Sequence, residues 1–462
     1  MPAALQGALL EELTDLLDSG RLDSALARVE GLHHADLARV LSNLPRADAE
    51  TLFVGLDAPF AAEVLAEIDD ALCEALLEDV GQERLTRLLN ALDSDDAADV
   101  MARLPQPMQS LVLPRLQDAE AVKGLMKYDE ETAGGIMAKE LVAVSPAWTI
   151  SEATEEVRRN RETVEELYVI FVVDDDRRLE GFVSIKRMLL SPSDALIGDV
   201  MERNVHTVTT STDQEEAVRI MERYDLISLA VVDEQHRLVG RVTIDDAVDV
   251  IREEAEEDYQ RLSGITGDEE PSASVGRITR GRLPWLMLGM AGAAFAGTVI
   301  GYFEETIRQA SILAAFIPVV MAMAGNAGIQ SSAIMVQGLA SGNPWSSNIL
   351  RRLSKEVLVA TINGTALALV LALIVVLVFM LGADFLSESG GAQPVRLAAT
   401  AALSLFVVIL IAAAVGTTIP LVLHRAGIDP ALATGPFITT SNDIIGLVVF
   451  FVLAATLYLP FV

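Results

Sequence analysis

The stretch VLVATINGTALALVLALIVVLVFMLG, residues 357–382, contains no charged residue. A helix of that length would be about 39 Å long, whereas roughly 20 apolar residues are enough to cross a bilayer. A buried helix of a soluble domain rarely runs so far without a charge, so the stretch predicts a membrane span. Four further segments of the same kind predict five spans in all: 283–303, 312–341, 397–423 and 431–460.

The two halves of the chain differ in charge. From Gly281 onward there are seven acidic and seven basic residues, so the whole formal net charge of −32 belongs to residues 1–280. Such an acidic surface argues against a nucleic-acid partner and against peripheral binding to anionic lipid, because both need a basic footprint. The carboxylates either keep a soluble domain in solution or collect cations, and charge alone leaves both readings open.

Basic residues in the short loops predict the orientation of the spans, because the more basic side is cytoplasmic. On that side lie Arg277, Arg280, Arg282, Arg351, Arg352, Lys355 and Arg425, against Arg308 and Arg396 on the other. Five spans then place the N-terminal domains in the cytoplasm of an inner-membrane protein and the C-terminus outside. The single cysteine, Cys73, fits a reducing compartment, and no cleaved signal peptide is expected.

Residues 1–130 predict an all-α superhelical domain. The segment LHHADLARVLSNLP at 32–45 is echoed by LDSDDAADVMARLP at 92–105 and, more loosely, by LDAPFAAEVLAEID at 56–69. Repeated helical units that cannot bury their apolar faces alone usually stack on one another.

From residue 131 the sequence pattern changes to short β-rich segments that alternate with predicted helices, and this pattern occurs in two copies. Gly181 and Gly240 mark equivalent positions of the copies, as do Met137 and Met201. Each copy predicts the order strand, helix, strand, turn, strand, helix. The pair resembles tandem CBS domains, a regulatory α+β module, with boundaries at 131–198 and 199–244.

Residues 245–270 predict a long acidic connecting helix and the start of a linker, GDEEPSAS at 267–274, before a transmembrane domain at 280–462. Acids recur every three or four residues along that helix and form one stripe. Like charges at these spacings destabilise a helix unless something neutralises them, which either a cation or nearby arginines would do. The stripe consists of Asp246, Asp249, Glu253 and Glu257, joined by Glu254, Glu256 and Asp258, and the acidic segment Asp93, Asp95, Asp96 and Asp99 offers a facing partner.

Asp443 is the only acid of the fifth predicted span, about 20 Å past its start and so close to the membrane midplane. A carboxylate inside a membrane is a functional candidate by default, with an interhelical hydrogen bond as the structural alternative. Gly435 and Pro436 are expected to loosen the helix before it. Further oxygen ligands follow in the order Thr439, Thr440, Ser441 and Asn442.

The second span carries Asn326 and Gln330, four residues apart and therefore on one face. Gly325 and Gly328 beside them permit close helix approach, so helix packing is the structural alternative. Spans two and five are expected to line a pathway, whereas the almost purely aliphatic spans three and four are expected to face lipid.

The ligands in these spans are all oxygens, which hard cations prefer. Mg2+ keeps much of its water and is commonly held through one or two carboxylates, and a two-fold dimer would bring two copies of Asp443 around one axis. No phosphate-binding loop, catalytic triad or dinucleotide fingerprint is present in the sequence, so neither ATP-driven transport nor an enzymatic function is expected.

Over essentially its full length the chain resembles the MgtE family of magnesium channels and transporters. The matching segments are YDEETAGGIM at 128–137, DDAVDVIREEAEED at 245–258, GNAGIQ at 325–330 and GPFITTSND at 435–443, of which the last two are the most specific. The resemblance implies a homodimeric, Mg2+-selective pore in the lipid bilayer that closes when cytoplasmic Mg2+ bridges the N-terminal domain, the CBS pair and the connecting helix.

The resemblance also implies roles for particular residues. Asp443 matches the pore carboxylate, and Asn326 and Gln330 match the second-span motif. The implied Mg2+-sensing acids are Asp95, Asp99, Glu215, Asp225, Asp246, Asp249, Glu254, Glu257 and Asp258. Thr243 and Asp246 preserve a nucleotide-like G-x-x-T-x-x-D, so ATP is an implied ligand of the CBS region, although the first copy has Ser184 with Arg187 in place of the acid. An ion-coupled divalent cation exchanger and a non-transporting CBS membrane sensor stay open as alternatives.

Overall fold

The computed structural model describes residues 3–78, 80–161, 167–265, 275–340, 349–381, 394–433 and 435–461. They form two compact units, Met1–Glu254 and Ala255–Val462. The predicted linker at 267–274 lies outside the described residues.

The first unit begins with ten short helices, which confirm the predicted all-α domain. The three sequence echoes fold as the helices α3, α5 and α8, whose Leu37, Leu65 and Met101 are each 0% exposed. Helices this short are marginal in isolation, so their shared apolar core stabilises them. The helices are α1 Ala3–Asp18, α2 Leu22–Val29, α3 His34–Leu41, α4 Arg46–Gly55, α5 Ala58–Ala66, α6 Asp70–Leu77, α7 Gln82–Leu89, α8 Ser94–Arg103, α9 Gln106–Val112 and α10 Ala119–Leu125.

Two three-stranded sheets of identical topology follow and confirm the predicted pair of α+β copies. In each sheet the first strand runs parallel to the second, and the third runs antiparallel to it. The strands are β1 Ala143–Val144, β2 Val169–Val173, β3 Leu179–Ser184, β4 Thr207–Thr209, β5 Ser228–Val232 and β6 Leu238–Thr243. The helices are α11 Ile150–Arg159, α12 Ile185–Leu190, α13 Ile197–Val200, α14 Gln214–Tyr224 and α15 Ile244–Leu262.

The hairpin turns of the two copies are joined reciprocally. The Leu179 N–H donates to the His236 carbonyl at 3.2 Å, and the Leu238 N–H donates to the Arg177 carbonyl at 2.9 Å. Arg177 and His236 both have φ = +63°, a backbone region that non-glycine residues seldom occupy. Because the same uncommon geometry recurs in both copies and each turn bonds to the other, the two copies form one pseudo-symmetric pair.

The second unit contains five helices that are long and apolar enough to cross a membrane, which confirms the predicted number of spans. The third and fourth have 32 residues each, about 48 Å, so they extend beyond a hydrocarbon core of about 30 Å. The helices of this unit are α16 Val275–Tyr302, the short α17 Glu304–Gln309, α18 Ile317–Ala340, α19 Ile349–Met380, α20 Pro394–Arg425 and α21 Pro436–Leu457.

The expectation that span four faces lipid is wrong. Half of the most apolar window of α20 is buried, compared with 6% for α16, and Ser404 and Thr417 of α20 are 0% and 2% exposed. Hydropathy does not distinguish a helix that faces lipid from one that faces other helices. What places α20 centrally is its content of small residues, which let neighbouring backbones approach.

The helices α18, α20 and α21 meet at one level, here called the glycine crossing and defined by Gly328, Gly416 and Asn442. A Cβ on Gly416 would lie 2.4 Å from the carbonyl oxygen of Gly328, and a Cβ on Gly328 would lie 1.9 Å from Nδ2 of Asn442. Asn442 is 1% exposed. At Gly328 and Gly416 a residue with a side chain would keep the three helices from packing this closely.

We expect Gly416→Ala to destabilise the membrane unit by about 1–3 kcal/mol, the usual cost of overpacking, because the added methyl meets a backbone oxygen that cannot rotate away. Gly289→Ala is the matched control, since a Cβ on Gly289 would meet nothing within 4 Å. Thermal unfolding of both variants in detergent measures the difference. Equal melting temperatures for the two variants would contradict the close packing at the glycine crossing.

Candidate functional site

Asp443 lies nearer to one end of its helix than the sequence suggested. Pro430–Ala433 forms a separate 3₁₀ turn, Gly435 is the N-cap residue of α21, and Pro436 opens its first turn. Proline suits that position because the amide it lacks would have had no helical partner. Gly435 and Pro436 therefore start the helix rather than loosen it. Asp443 therefore sits about 10 Å from the start of its helix, rather than about 20 Å from the start of the span, as predicted.

The half-buried Asp443 lies against the backbone of α18. Its Oδ1 is 3.7 Å from the position of a Cβ on Gly325, and the Cγ2 of Thr439 is 3.2 Å from the same point. Thr439 and Asp443 thus share one face of α21. Asn442 lies on a different face, at the glycine crossing, and the methyl of Thr440 lies against Gly292 of α16. Of these predicted oxygen ligands, the structure aligns Thr439 with Asp443.

Asn326 and Gln330 line a groove of about 460 Å³ between α18, α19 and α20. Ser331 of α18 and two residues of α19, Glu356 and Asn363, line the same groove. The prediction that Asn326 and Gln330 face the same way is correct. Asp443 is not among the described residues that line this groove, so within one chain the two parts of the predicted pathway lie on different faces of α18.

Glu356 is a polar residue of the membrane unit to which the sequence analysis assigned no role. The predicted third span began at residue 357, whereas α19 begins at Ile349, so the acid lies inside the helix. Glu356 is 9% exposed; Ser331 Oγ donates to its Oε2 at 3.4 Å, and Arg352 lies 3.7 Å from its Oε1. The pair Arg352 and Glu356, spaced i and i+4 at the edge of an apolar run, is the signal that could have shown that the helix begins earlier.

The first unit contains an acid cluster, defined here as Asp93, Asp95, Asp96, Glu140 and Asp246. Carboxylate oxygens of Asp93, Asp95 and Glu140 all lie within 4.8 Å of one another, and Asp95 is 8% exposed. Ser94 Oγ donates to Glu140 at 2.8 Å and helps to hold that side chain in place. The cluster contains acids from the start of α8 and from the start of α15. These are the two acidic segments that were predicted to face each other.

Three aspartates of the acid cluster, Asp95, Asp96 and Asp246, have raised pKa values. Burial is the largest cause, and it raises the pKa of Asp95 well above its usual value, that of Asp96 to about 7 and that of Asp246 to about 6. The charge of Asp246 is the next cause for both Asp95 and Asp96, which shows that the two helix starts interact electrostatically. Such an arrangement either shares protons or holds a hard cation.

Other predicted sensing acids on α15 have individual partners. Asp249 pairs with Arg252 at 3.0 Å, and Glu254 accepts a hydrogen bond from Gln214 at 3.0 Å. Glu257 pairs with Arg261, and Asp258 is half-buried. The boundary between the two compact units falls within this helix, after Glu254.

The remaining predicted sensing acids lie in α8 and at the two ends of α14. Asp99 of α8 is exposed, and its charge helps to raise the pKa of Asp96. Glu215, in the first turn of α14, pairs with Arg219 at 2.7 Å. Asp225 is the C-cap residue of α14, with φ = +52°. Glu215 and Asp225 are therefore about 15 Å apart along one helix.

Thr243 and Asp246, the predicted nucleotide-binding pair, hydrogen-bond to each other. The Thr243 N–H donates to the Asp246 carboxylate at 3.2 Å, and the Thr243 hydroxyl donates to the same oxygen. In the first copy, Ser184 caps α12, and Arg187 pairs with Glu202 at 3.0 Å. The second copy therefore offers a carboxylate where the first offers a guanidinium group.

Arg261, near the end of α15, contacts both Glu257 and Asp429. Asp429 also accepts a hydrogen bond from the Ala431 N–H at 2.8 Å and so stabilises the 3₁₀ turn that precedes α21. The end of the connecting helix is thus tied to the turn that leads into the helix carrying Asp443. The sequence analysis did not predict this contact.

Comparison with known families divides the chain in the same order as the fold. The MgtE intracellular N domain matches residues 32–131, the CBS domain matches 133–193 and 197–253, and the model described as MgtE, divalent cation transporter, matches 317–453.

The magnesium transporter MgtE of Thermus thermophilus is 30% identical over 456 residues, which is 98% of this chain and 97% of that protein. The magnesium transporter MgtE of Enterococcus faecalis is 33% identical over 343 residues, 73% of this chain and 72% of that protein. A crystal structure of the cytosolic domain of the Mg2+ channel MgtE in complex with ATP is 33% identical. It covers 52% of this chain and 99% of that chain, with a TM-score of 0.49.

Identity at this level runs through almost the whole length of the chain, across the helical domain, the CBS pair and the membrane helices. The five apolar helices make it a membrane protein, and its N-terminal domains are cytoplasmic. The chain belongs to the MgtE family.

Proposed function

We propose that the chain is a Mg2+ channel of the inner membrane that conducts passively and closes when cytoplasmic Mg2+ is abundant. The observation that carries the proposal is Asp443, a carboxylate on a membrane-spanning helix, half-buried beside the backbone of Gly325 with Thr439 on the same face. Carboxylates within membrane spans mark ion pathways. Membership of a family whose relatives are named magnesium transporters supports Mg2+ as the substrate.

The proposed pore lies on the axis of a homodimer. One carboxylate for each chain is too few for Ca2+, which takes six to eight oxygen ligands, whereas two copies of Asp443 around a two-fold axis suit a Mg2+ ion that keeps its water. Asn326 and Gln330 contribute amide oxygens on α18. The C-terminus is proposed to lie on the outer face of the membrane, opposite the cytoplasmic domains.

The acid cluster is the proposed gate sensor. Without Mg2+ its buried carboxylates repel one another, and with Mg2+ an ion bridges α8 to α15. Turning a 99:1 open bias into 1:99 needs about 5.5 kcal/mol, and a site occupied at about 100 times its Kd supplies about 2.7 kcal/mol, so two or three coupled ions suffice. The further proposed sensing acids are Asp99, Glu215, Asp225, Asp249, Glu254, Glu257 and Asp258.

Nucleotide binding at Thr243 and Asp246 stays a prediction. Their side chains already hydrogen-bond to each other. ATP would therefore compete with this contact, and a nucleotide that binds here would also change the charge of the acid cluster.

Mg2+ flux through the purified full chain in liposomes tests the proposed function, with Mg2+ varied separately on each face. We expect uptake down the Mg2+ gradient without ATP and without a Na+ or H+ gradient, ending when Mg2+ on the cytoplasmic face is raised. Uptake that requires a Na+ or H+ gradient would favour the ion-coupled exchanger. An impermeable protein would favour the membrane sensor.

We expect Asp429→Asn to raise the cytoplasmic Mg2+ concentration needed for half-closure by about fivefold. The pair of Arg261 and Asp429 is partly exposed, at 29% and 30%, so solvent limits its worth to about 1 kcal/mol. Flux measured against cytoplasmic Mg2+ gives the shift. The control Arg308→Gln removes an exposed ion pair with Glu304 in the same unit and should leave closure unchanged. A lower Mg2+ concentration for half-closure in Asp429→Asn would contradict the proposal that the contact between Arg261 and Asp429 helps to close the pore.

A further inference from the structure

The groove between α18, α19 and α20 has an uncommon lining for a membrane domain. Its polar side chains come from two helices: Asn326, Gln330 and Ser331 from α18, and Glu356 and Asn363 from α19. The other lining residues are apolar, among them Ile334, Val359 and Ile409. Polar groups at membrane depth need partners, because hydrocarbon supplies none.

Among the residues that the structure describes, Ser331 and Arg352 contact the groove residue Glu356, and both contacts are long. Ser331 Oγ lies 3.4 Å from its Oε2 and Arg352 lies 3.7 Å from its Oε1, whereas charge-assisted hydrogen bonds are about 2.7–2.9 Å long. The side chains of Glu356 and Arg352 are only 11% and 13% exposed. A buried carboxylate with such loose contacts retains affinity for a further positive charge.

The polar residues are arranged in two levels. Ser331 contacts Glu356, which fixes the first level. Asn326 lies five residues before Ser331 on α18, and Asn363 lies seven residues after Glu356 on α19. Because α18 and α19 are consecutive spans and run in opposite directions, Asn326 and Asn363 lie at about the same depth and form the second level. The levels are therefore about 8–10 Å apart. Arg351 and Lys355, on the proposed cytoplasmic side, lie close in sequence to the first level.

The size and chemistry of the groove favour one kind of occupant. The groove has a volume of about 460 Å³, which leaves room for an ion with its hydration shell. A lipid chain would leave the amides unsatisfied. One carboxylate with neutral amide and hydroxyl oxygens suits a divalent cation that keeps most of its water.

We propose that this groove is a second site for a hydrated divalent cation, distinct from Asp443, with Glu356 as its acid and Arg352 as the competitor for that acid. The inference rests on the proposed function, since the ion is the same transported cation. It places a second binding site for that cation nearer the cytoplasmic end of the membrane domain, on a different face of α18 from Asp443.

The test compares Glu356→Gln, Glu356→Asp and Arg352→Gln in the full chain reconstituted in liposomes, with Mg2+ as the ion. We expect Glu356→Gln to lower Mg2+ flux about tenfold and to raise the Mg2+ concentration for half-maximal flux. Glu356→Asp should restore part of both. Arg352→Gln should lower the Mg2+ concentration for half-maximal flux, because it removes the competing charge. If the pair had a purely structural role, Glu356→Gln and Arg352→Gln would change that concentration in the same direction. Glu305→Gln, at an acid 67% exposed, is the control and should match wild type.

Two kinds of result would overturn the groove site. In the first, Glu356→Gln has the flux and the half-maximal Mg2+ concentration of the wild type, while Asp443→Asn abolishes flux. That outcome leaves the proposed function intact. The second is an unchanged half-maximal concentration in Glu356→Gln with loss of a co-purified phospholipid in native mass spectrometry, which would assign the groove to a lipid. Full flux through Asp443→Asn would instead contradict the proposed function itself.

Discussion

Asp443→Asn is expected to lower Mg2+ flux by roughly 100-fold while leaving the fold intact. Asparagine has nearly the same volume and keeps an oxygen beside Gly325, so the change removes charge rather than packing. At an effective dielectric constant of about 20, a carboxylate attracts a unit charge about 5 Å away by about 3 kcal/mol, and each 1.4 kcal/mol is about a factor of ten. Flux into liposomes under a Mg2+ gradient measures the loss.

The matched control for this prediction is Glu305→Gln, which neutralises an exposed acid of the same unit that pairs with Arg308. It should conduct like the wild type. Equal losses in the two variants would mean that net charge, and not the position of Asp443, governs flux. A thermal unfolding curve for each variant separates a misfolded protein from a blocked one.

Mg2+ is expected to bind the acid cluster at least tenfold more weakly at about pH 5.5 than at about pH 7.5. The pKa of Asp96 is raised to about 7 and that of Asp246 to about 6, so both are largely protonated at the lower pH and largely ionised at the higher. Only ionised carboxylates bind the metal, so protons and Mg2+ compete for the same oxygens. Titration of the full chain with Mg2+ at the two pH values measures the difference.

Stability without Mg2+ should follow the opposite trend. Because the folded-state pKa of Asp246 and of Asp96 lies above the unfolded value of 3.8, the folded unit holds protons that the unfolded chain has lost. Stability should therefore fall as the pH rises from about 4 to about 7, and Mg2+ should restore it most strongly above that range. Thermal unfolding with and without Mg2+ at each pH checks both signs.

The double variant Asp96→Asn with Asp246→Asn should lose most of this pH dependence and most of the stabilisation by Mg2+. Glu63→Gln, at an exposed acid of α5, is the control and should keep both. Equal stabilisation by Mg2+ at the two pH values in the wild type would show that the acid cluster is not the binding site.

Features that depend on local sequence were predicted correctly. The number of spans follows from hydropathy, and the two CBS copies follow from a repeated strand and helix pattern that pairs Gly181 and Gly240 at equivalent register positions. The role of Asp95 and Asp246 as Mg2+-sensing acids, which the family resemblance implies, stays a prediction; burial first and the charge of Asp246 second raise the pKa of Asp95.

Features that depend on where a helix begins, or on which neighbour it meets, were missed. The position of Glu356 inside α19 and the distance of Asp443 from the start of α21 both depend on helix starts, which hydropathy places only to within several residues. Glu140 lies between secondary-structure elements, at a position for which no periodic pattern predicts a facing side chain. The central position of α20 depends on interhelical packing, which hydropathy does not register, although the small residues of the helix allow it.

The glycine crossing limits how the membrane domain can open. Sliding α20 along α18 would drive the backbone at Gly416 into the carbonyl of Gly328, and rotating α21 would push the amide of Asn442 against the same glycine. We therefore expect these three helices to move together as a rigid body, with the glycine crossing as the fixed point. The displacement that admits an ion then falls to α16, whose most apolar window is only 6% buried, and to the contacts between the two proposed copies of the chain.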